Sequence, residues 1–372
     1  MTNYFPSSYE ESRERFRLNL GLFQSKWSGA RLESHLLQEH PDLSIDWIWA
    51  EPRTKENLVV VSTAEHGIEG YVGAAMLKIF IEEFAPRLNP ENTGVLLVHA
   101  INPWGMQNHC RVNPNNVDLN RNFVYDRIFD PAINPDYDRL TLLLNPQRPV
   151  QNLVFENILF LGKVIKGLVS PGQAKVQAAS LLGQHRHSNG IFYGGKELEE
   201  ETKVLMSLYR QSSEEYQTII GVDLHTGYGP RYQMTVIIPP VDPTPSAKAM
   251  VKFNYPLVQK INAEEFYAIS GDMGEYFYRL RDAEYPEKKL FAAGFEFGTF
   301  GDSLFALIRS LRITVLENQL RQFGAKSETI AHAVRKEYEE LFFPVEPRWR
   351  EKALADGRQA FEGILRAHQL LE

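Results

Sequence analysis

The sequence predicts an α/β protein in which helices cover a mixed, mostly buried β-sheet. Short runs of β-branched and other apolar residues alternate with longer stretches whose apolar residues recur at helical spacing. Apolar residues make up 43% of the 372-residue chain, which is enough to bury a sizeable core. Strands that alternate with helices in this way are typical of sheets buried on both faces.

The predicted elements follow one another along the chain as helix, strands and helices. An N-terminal segment, residues 8–26, is predicted to be helical, and residues 70–85 have apolar positions at helical spacing. Seven strands are predicted, at residues 47–50, 57–63, 94–100, 219–225, 234–239, 264–269 and 290–298. We interpret residues 126–190 as an insertion and residues 303–372 as a helical C-terminal region, within one domain that spans residues 1–372.

Composition and charge exclude several classes of partner. The formal net charge of −7 is spread along the chain, so there is no basic footprint of a nucleic-acid-binding protein. No segment approaches the ~20 apolar residues of a membrane span, and the polar N-terminus lacks the pattern of a standard signal peptide. The single cysteine, Cys110, excludes an internal disulfide and favours a reducing compartment. We therefore expect a cytoplasmic protein with neither nucleic-acid nor membrane partners; the number of subunits is not indicated.

Two histidines and a glutamate form the first candidate site. His66 and Glu69, in "AEHGIEG", follow an apolar strand at i and i+3, a spacing at which two side chains can converge in a turn. His225 closes another apolar run, and the carboxyl ends of strands are where an open α/β sheet carries its site. Hydrolytic zinc sites often use two histidines and one glutamate. Taken alone, Glu69 could equally be a first-turn acid favoured by the helix dipole.

A polar stretch after another strand forms the second candidate site. Residues 110–123, "CRVNPNNVDLNRNF", contain two arginines, five asparagines and an aspartate. Arginine binds a carboxylate through two parallel hydrogen bonds, and asparagine can add a third, so Arg121 and Asn120 are candidates for a carboxylate clamp. A solvated loop can have the same composition.

These motifs together resemble the zinc carboxypeptidase family, which includes the aspartoacylase and succinylglutamate desuccinylase deacylases. The resemblance rests on His-x-x-Glu, "NNVDLNRNF", a histidine at a strand end and a glutamate on a late strand. It implies a three-layer sandwich whose central mixed, mostly parallel sheet is flanked by helices. It also implies one zinc ion per chain, held by a set of three ligands: His66, Glu69 and His225.

The resemblance also implies roles for the polar stretch. Asp118 would orient His66, as a carboxylate behind a ligating imidazole usually does. Arg111 would polarise the scissile carbonyl and stabilise its oxyanion. Asn120 and Arg121 would bind the carboxylate of the substrate.

A hydrolase of this type needs a base that takes a proton from water and returns it to the leaving amine. Glu296, in "LFAAGFEFGTF", lies on an apolar strand where partial burial would raise its pKa towards working pH. The stretch "YAISGDMGEYFY" is similar to the family's segment with a substrate-capping tyrosine, which would make Tyr267 that residue.

We therefore expect a zinc-dependent hydrolase that cleaves an amide bond in a carboxylate-bearing substrate. A carboxypeptidase-type metallopeptidase acting on a small peptide comes first, and an N-acyl amino acid deacylase is the alternative within the same chemistry. A non-catalytic peptide-binding module on the same fold is the alternative from another class.

Overall fold

The computed structural model describes residues 4–167, 179, 182–260 and 271–371. Among them it has one eight-stranded mixed sheet with helices on both faces, which confirms the predicted α/β class. The strands are β1 (Arg31–Leu36), β2 (Ser44–Ala50), β3 (Asn57–Thr63), β4 (Thr93–His99), β5 (Thr218–Thr226), β6 (Met234–Ile238), β7 (Val258–Lys260) and β8 (Lys289–Phe297).

The strands lie in the order β1-β2-β4-β3-β5-β8-β6-β7. The central strands β4, β3, β5 and β8 are parallel to their neighbours within this group, whereas β2 joins β4, and β6 joins β8, in antiparallel fashion. The carboxyl ends of the four central strands therefore meet at one edge of the sheet, where the loops that follow them can build a site.

The helices of the described chain connect and cover these strands. They are α1 (Tyr9–Leu18), α2 (Leu20–Gln24), α3 (Gly70–Ile79), α4 (Pro103–Gln107), α5 (Pro135–Arg139), α6 (Thr141–Leu144), α7 (Leu153–Gly167), α8 (Glu200–Glu215), α9 (Ser246–Phe253), α10 (Met273–Glu284), α11 (Leu304–Phe323), α12 (Glu328–Phe342) and α13 (Pro347–Ala367). None of the helices in the described ranges is long and apolar enough to cross a membrane.

Alternate residues of the central strands enter two different cores. Val59 and Val61 of β3 lie in the core shared with α3 and α13. Leu58 and Val60 of the same strand lie in the opposite core, shared with α8 and α10. Because successive side chains of a strand point to opposite faces, a continuous apolar run such as "LVVV" indicates a strand covered on both sides. The result is the three-layer arrangement that the motif resemblance implied.

Most differences from the predicted elements occur at the sheet edges and the N-terminus. The predicted helix at 8–26 divides into α1 and α2 at Asn19, whose amide group donates to the carbonyl oxygen of Arg15. Two strands were not predicted: β1, a partly exposed edge strand with the polar sequence "RLESHL", and the three-residue β7. The predicted strand at 264–269 lies outside the described residues.

Candidate functional site

The ends of three neighbouring strands bring together the residues predicted to perform the chemistry. His66 follows the end of β3, His225 is the penultimate residue of β5, and Glu296 is the penultimate residue of β8. In the sheet register His225 is directly paired with Glu296. Since paired residues on neighbouring strands point to the same face, the candidate ligand and the candidate base lie side by side.

The turn after β3 carries two of the predicted zinc ligands. Ala64 has a left-handed backbone (φ 60°), which is uncommon for a residue with a side chain, and Gly67–Glu69 then form a single turn of 3₁₀-helix. A Cβ atom at Gly67 would lie 2.1 Å from the carbonyl carbon of Gly105. Glycine at position 67 therefore allows the ligand turn to pack directly on the backbone of α4.

Replacement of Gly67 by alanine is expected to damage both stability and the site. The added methyl group must push apart two backbone segments, so we expect a loss of about 1–3 kcal/mol in the free energy of unfolding and lower metal affinity. Denaturant unfolding and metal titration measure the two effects. The control is Gly21→Ala in α2, where an added methyl group would meet no other atom within 4 Å. Equal stability of the Gly67 variant and wild type would contradict the proposed packing.

Glu69 lies between the two histidines. Its Oε1 is 3.0 Å from His66 Nδ1, and its Oε2 is 3.2 Å from His225 Nδ1. Ligand atoms bound to tetrahedral zinc at ~2.0–2.1 Å lie about 3.3 Å from one another. The two observed separations are close to this value, so Glu69 is placed to share an ion with each histidine. Burial alone would raise the pKa of Glu69, but His66 and His225 outweigh burial and hold this pKa below its usual range.

The contacts of His66 also fit a cation. Its Nε2 is 3.2 Å from Asp118 Oδ1, and in the neutral tautomer that donates this proton to Asp118 a lone pair is left on Nδ1. Within the described ranges Nδ1 makes no hydrogen bond, although Glu69 Oε1 is 3.0 Å away. In that tautomer the lone pairs of Nδ1 and Glu69 face each other, and either a proton or a metal cation between them removes the repulsion. Imidazole nitrogens together with a carboxylate are a donor set that zinc prefers.

His225 has an acidic partner on its outer side as well. Its Nε2 is 2.5 Å from Asp223 Oδ2, and Asp223 in turn accepts a hydrogen bond from Ser62 Oγ at 2.6 Å. Burial would lower the pKa of His225, but Asp223 and Glu69 outweigh it and raise the pKa well above its usual value. Asp223 thus has the position of a residue that orients a ligating imidazole. Asp223 was not among the predicted site residues, although its i, i+2 spacing from His225 on one strand places both side chains on one face.

Glu65, like Asp223, is a carboxylate near the histidines that was not among the predicted site residues. Its side chain is 1% exposed, and neither oxygen has a hydrogen-bond partner among the residues that the structure describes. Glu65, His66 and His225 offer ligand atoms within 4.8 Å of one another. Burial, followed by the charge of Asp223, raises the pKa of Glu65 well above its usual range. This group contains Glu65 in place of the predicted ligand Glu69, whose two oxygens each face one histidine. Both carboxylates are therefore candidates to complete a metal site with the histidines.

Asp118 links His66 to a nearby arginine. Asp118 Oδ2 accepts a hydrogen bond from Arg111 Nε at 2.9 Å, and Arg111 Nη1 is 3.4 Å from Glu69 Oε1. Burial would raise the pKa of Asp118, but Arg111 and Arg121 outweigh it and hold the pKa well below its usual range. Asp118 is therefore an ionised acceptor that can hold His66, and Arg111 lies at the edge of the candidate metal site.

The residues of the predicted carboxylate clamp are largely buried. Asn120 Oδ1 accepts the backbone N–H of Met273 at 3.0 Å, so its amide nitrogen is the group that can donate to a ligand. Arg121 is 3% exposed, and its Nη1 donates to the carbonyl oxygen of Asn120 at 2.7 Å. Glycine residues pack closely against Arg121. A Cβ atom at Gly183 would lie 2.5 Å from Arg121 Cδ, and one at Gly271 would lie 2.4 Å from its carbonyl oxygen. A carboxylate bound here would be largely enclosed.

Glu296 is partly buried beside the metal-site candidates. Its Oε1 accepts the backbone N–H of Tyr228 at 2.9 Å. Burial, together with the negative charge of Glu69, raises the pKa of Glu296 to about 7. A carboxylate with this pKa can both accept and release a proton near neutral pH. The predicted capping residue Tyr267 lies outside the described residues.

The sequence matches a family over residues 5–356, described as "Protein of unknown function (DUF2817)". The match covers most of the chain, and the protein belongs to this family. No curated protein matches the chain in sequence.

Solved structures are similar to the chain at low sequence identity. Carboxypeptidase A from Helicoverpa armigera is 14% identical with a TM-score of 0.48, over 90% of this chain and 73% of the other. Bovine thrombin-activatable fibrinolysis inhibitor, in complex with a tick carboxypeptidase inhibitor, is 13% identical with a TM-score of 0.47, over 88% and 99%. An aspartoacylase family protein from Mesorhizobium loti is 13% identical with a TM-score of 0.37, over 80% and 68%. At these sequence identities the matches indicate a similar fold and give no information about activity.

Proposed function

We propose that this member of the DUF2817 family is a zinc-dependent hydrolase that cleaves an amide bond next to a carboxylate. The observation that carries the proposal is the position of Glu69, 3.0 Å from His66 Nδ1 and 3.2 Å from His225 Nδ1, with Glu296 on the strand beside His225. A metal-assisted hydrolase needs a set of metal ligands and, next to them, a group that transfers protons near neutral pH, such as a carboxylate of raised pKa.

His66, Glu69 and His225 hold the ion, and Asp118 and Asp223 orient the two imidazole rings. Zinc, when bound, supplies a Lewis acid for the carbonyl oxygen and lowers the pKa of water. Glu65 is a further buried carboxylate next to the two histidines. It is close enough to compensate part of the positive charge of the ion.

The other side chains bind the substrate and move its protons. Asn120 and Arg121 bind the substrate carboxylate and so position the scissile amide, while Arg111 donates to the carbonyl oxygen as negative charge develops there. Glu296 accepts a proton from the attacking water and delivers it to the leaving nitrogen. Its position beside His225 keeps this proton transfer within the metal site.

Two substrate classes share this chemistry. A carboxypeptidase removes the last residue of a peptide, whereas an N-acyl amino acid deacylase removes an acyl group, and both recognise a carboxylate beside the amide. We propose the peptidase first, with the deacylase as the alternative.

A substrate panel tests the proposal and separates the two classes. The zinc-loaded protein is assayed with dipeptides and tripeptides beside N-acetyl and N-succinyl amino acids, each paired with its C-terminal carboxamide. We expect hydrolysis of the carboxylates and a kcat/KM at least about tenfold lower for the carboxamides, because loss of a charged partner costs about 1.5–3 kcal/mol. Cleavage of acyl amino acids but not peptides would select the deacylase. Binding without turnover of any member would favour a non-catalytic peptide-binding module.

A further inference from the structure

Phe192 lies beside both arginines of the candidate site. The guanidinium carbons of Arg111 and Arg121 are each 5.8 Å from the centre of its ring. An aromatic face attracts cations at this distance, most strongly where water is partly excluded. One half-buried ring therefore contacts the two groups to which the proposed function gives different tasks.

The backbone at Phe192 is strained and firmly held. Its φ of 55° is in the left-handed region, which is unfavourable for a bulky residue. The carbonyl oxygen of Phe192 accepts the N–H of Gln184 at 3.0 Å, and that of Tyr193 accepts the N–H of Asp118 at 2.7 Å. Strain of this kind persists where surrounding contacts determine the backbone, and it is frequent at functional sites.

The two arginines are close enough for their charges to interact. Burial lowers the pKa of Arg121, and the like charge of Arg111 lowers it further, whereas Asp118 opposes both effects. Asp118 supplies one compensating group through its hydrogen bond to Arg111 Nε. Phe192 contacts both guanidinium groups and belongs to a segment that is hydrogen-bonded to Asp118, so the loop, the acid and the arginines form one unit.

We propose that Phe192 is a positioning residue that fixes Arg111 and Arg121 relative to each other and thereby selects the spacing between the carboxylate and the scissile amide. This inference rests on the proposed function. Phe192 acts through the arginines and has no part in proton transfer. One fixed arginine pair accepts one spacing between carboxylate and scissile amide. The spacing expected is that of an α-amino acid, which the peptide and acyl amino acid substrates of the proposed function share.

Spacing selectivity tests the proposal. Wild type, Phe192→Ala, Phe192→Leu and Phe192→Tyr are assayed with an acylated α-amino acid, the corresponding acylated β-amino acid and the α-carboxamide. For Phe192→Ala we expect a KM about tenfold higher on the α-carboxylate, a several-fold smaller α-to-β ratio and a smaller change on the carboxamide. Phe192→Tyr keeps the aromatic face and should retain the wild-type ratio, whereas Phe192→Leu should not.

Two controls separate positioning from folding. Phe305→Ala removes a ring that is 80% exposed in α11 and should leave KM and selectivity unchanged. Thermal unfolding of each variant shows whether it is folded. Equal losses on all three substrates, or a tyrosine variant that behaves like the alanine variant, would overturn the role of Phe192.

Ligand binding distinguishes failure of this inference from failure of the proposed function. Calorimetric titration of Glu296→Gln protein, with and without Phe192→Ala, with N-acetyl-L-phenylalanine and its carboxamide measures carboxylate binding without turnover. Weaker binding of the carboxylate alone in the double variant supports Phe192 even if the wild type proves inactive. Unchanged binding, or no carboxylate preference in either protein, contradicts it.

Discussion

Replacement of Glu296 by glutamine is expected to reduce kcat on the order of 10²–10⁴-fold while zinc remains bound. Glutamine keeps the size of the side chain and the oxygen that accepts the N–H of Tyr228, but it cannot accept a proton from water. The loss should therefore appear in kcat with little change in KM. Steady-state kinetics and metal analysis of the same preparation measure both quantities.

Glu201 provides the control for this variant. It is a buried glutamate whose pKa burial also raises to about 7, yet it lies in α8 and contacts Asn113. Glu201→Gln should leave kcat unchanged, so a general effect of neutralising a buried acid is separated from loss of the base. A Glu296→Gln protein with wild-type activity would refute the proposed mechanism.

Removal of the metal should abolish activity and lower stability. We expect one zinc ion per wild-type chain, and complete loss of hydrolysis on chelation with recovery on addition of zinc. If zinc is present at 1,000 times its Kd, bound metal adds about 4 kcal/mol to the free energy of unfolding. Without the ion, facing carboxylates and imidazoles remain buried, so the thermal unfolding temperature should fall. Plasma mass spectrometry and calorimetry measure these effects.

Ligand variants identify which side chains bind the ion. His66→Ala and Glu69→Gln should each lose stoichiometric zinc, whereas His332→Ala, at an exposed histidine of α12, should retain it. Glu65→Gln distinguishes the two candidate carboxylates. We expect this variant to keep the ion, and its loss together with retention by Glu69→Gln would transfer the ligand role to Glu65.

Much of the fold could be predicted from local patterns. Strands β3, β4, β5 and β8 are continuous apolar runs, because helices cover both faces of the sheet there, and such runs are visible without tertiary information. The edge strand β1 consists mainly of polar residues that are exposed or partly exposed. Within the described part of the chain, it pairs with β2 alone. Its identity as a strand depends on a neighbour that the local sequence does not specify.

In the candidate site, too, some residues could be predicted from the local sequence and others depend on distant neighbours. The proximity of His66 and Glu69 could be predicted because both residues lie in one turn. Glu65 could not be recognised as a site residue from the sequence. A carboxylate next to a histidine becomes a candidate metal ligand only when its burial and its distance from His225 are known. Phe192 was missed for a similar reason: its importance comes from two arginines that are 71 or more positions away in sequence but adjacent to its ring.

The pairing of His225 with Glu296 has a consequence for how this protein could diversify. The two residues belong to hydrogen-bonded neighbouring strands, whereas Phe192 and the Asn120–Arg121 pair belong to connecting segments. Loops tolerate insertion and replacement far better than central strands do. Exchange of the 182–195 segment between relatives is therefore expected to change the substrate preference and to leave the proposed metal site unchanged.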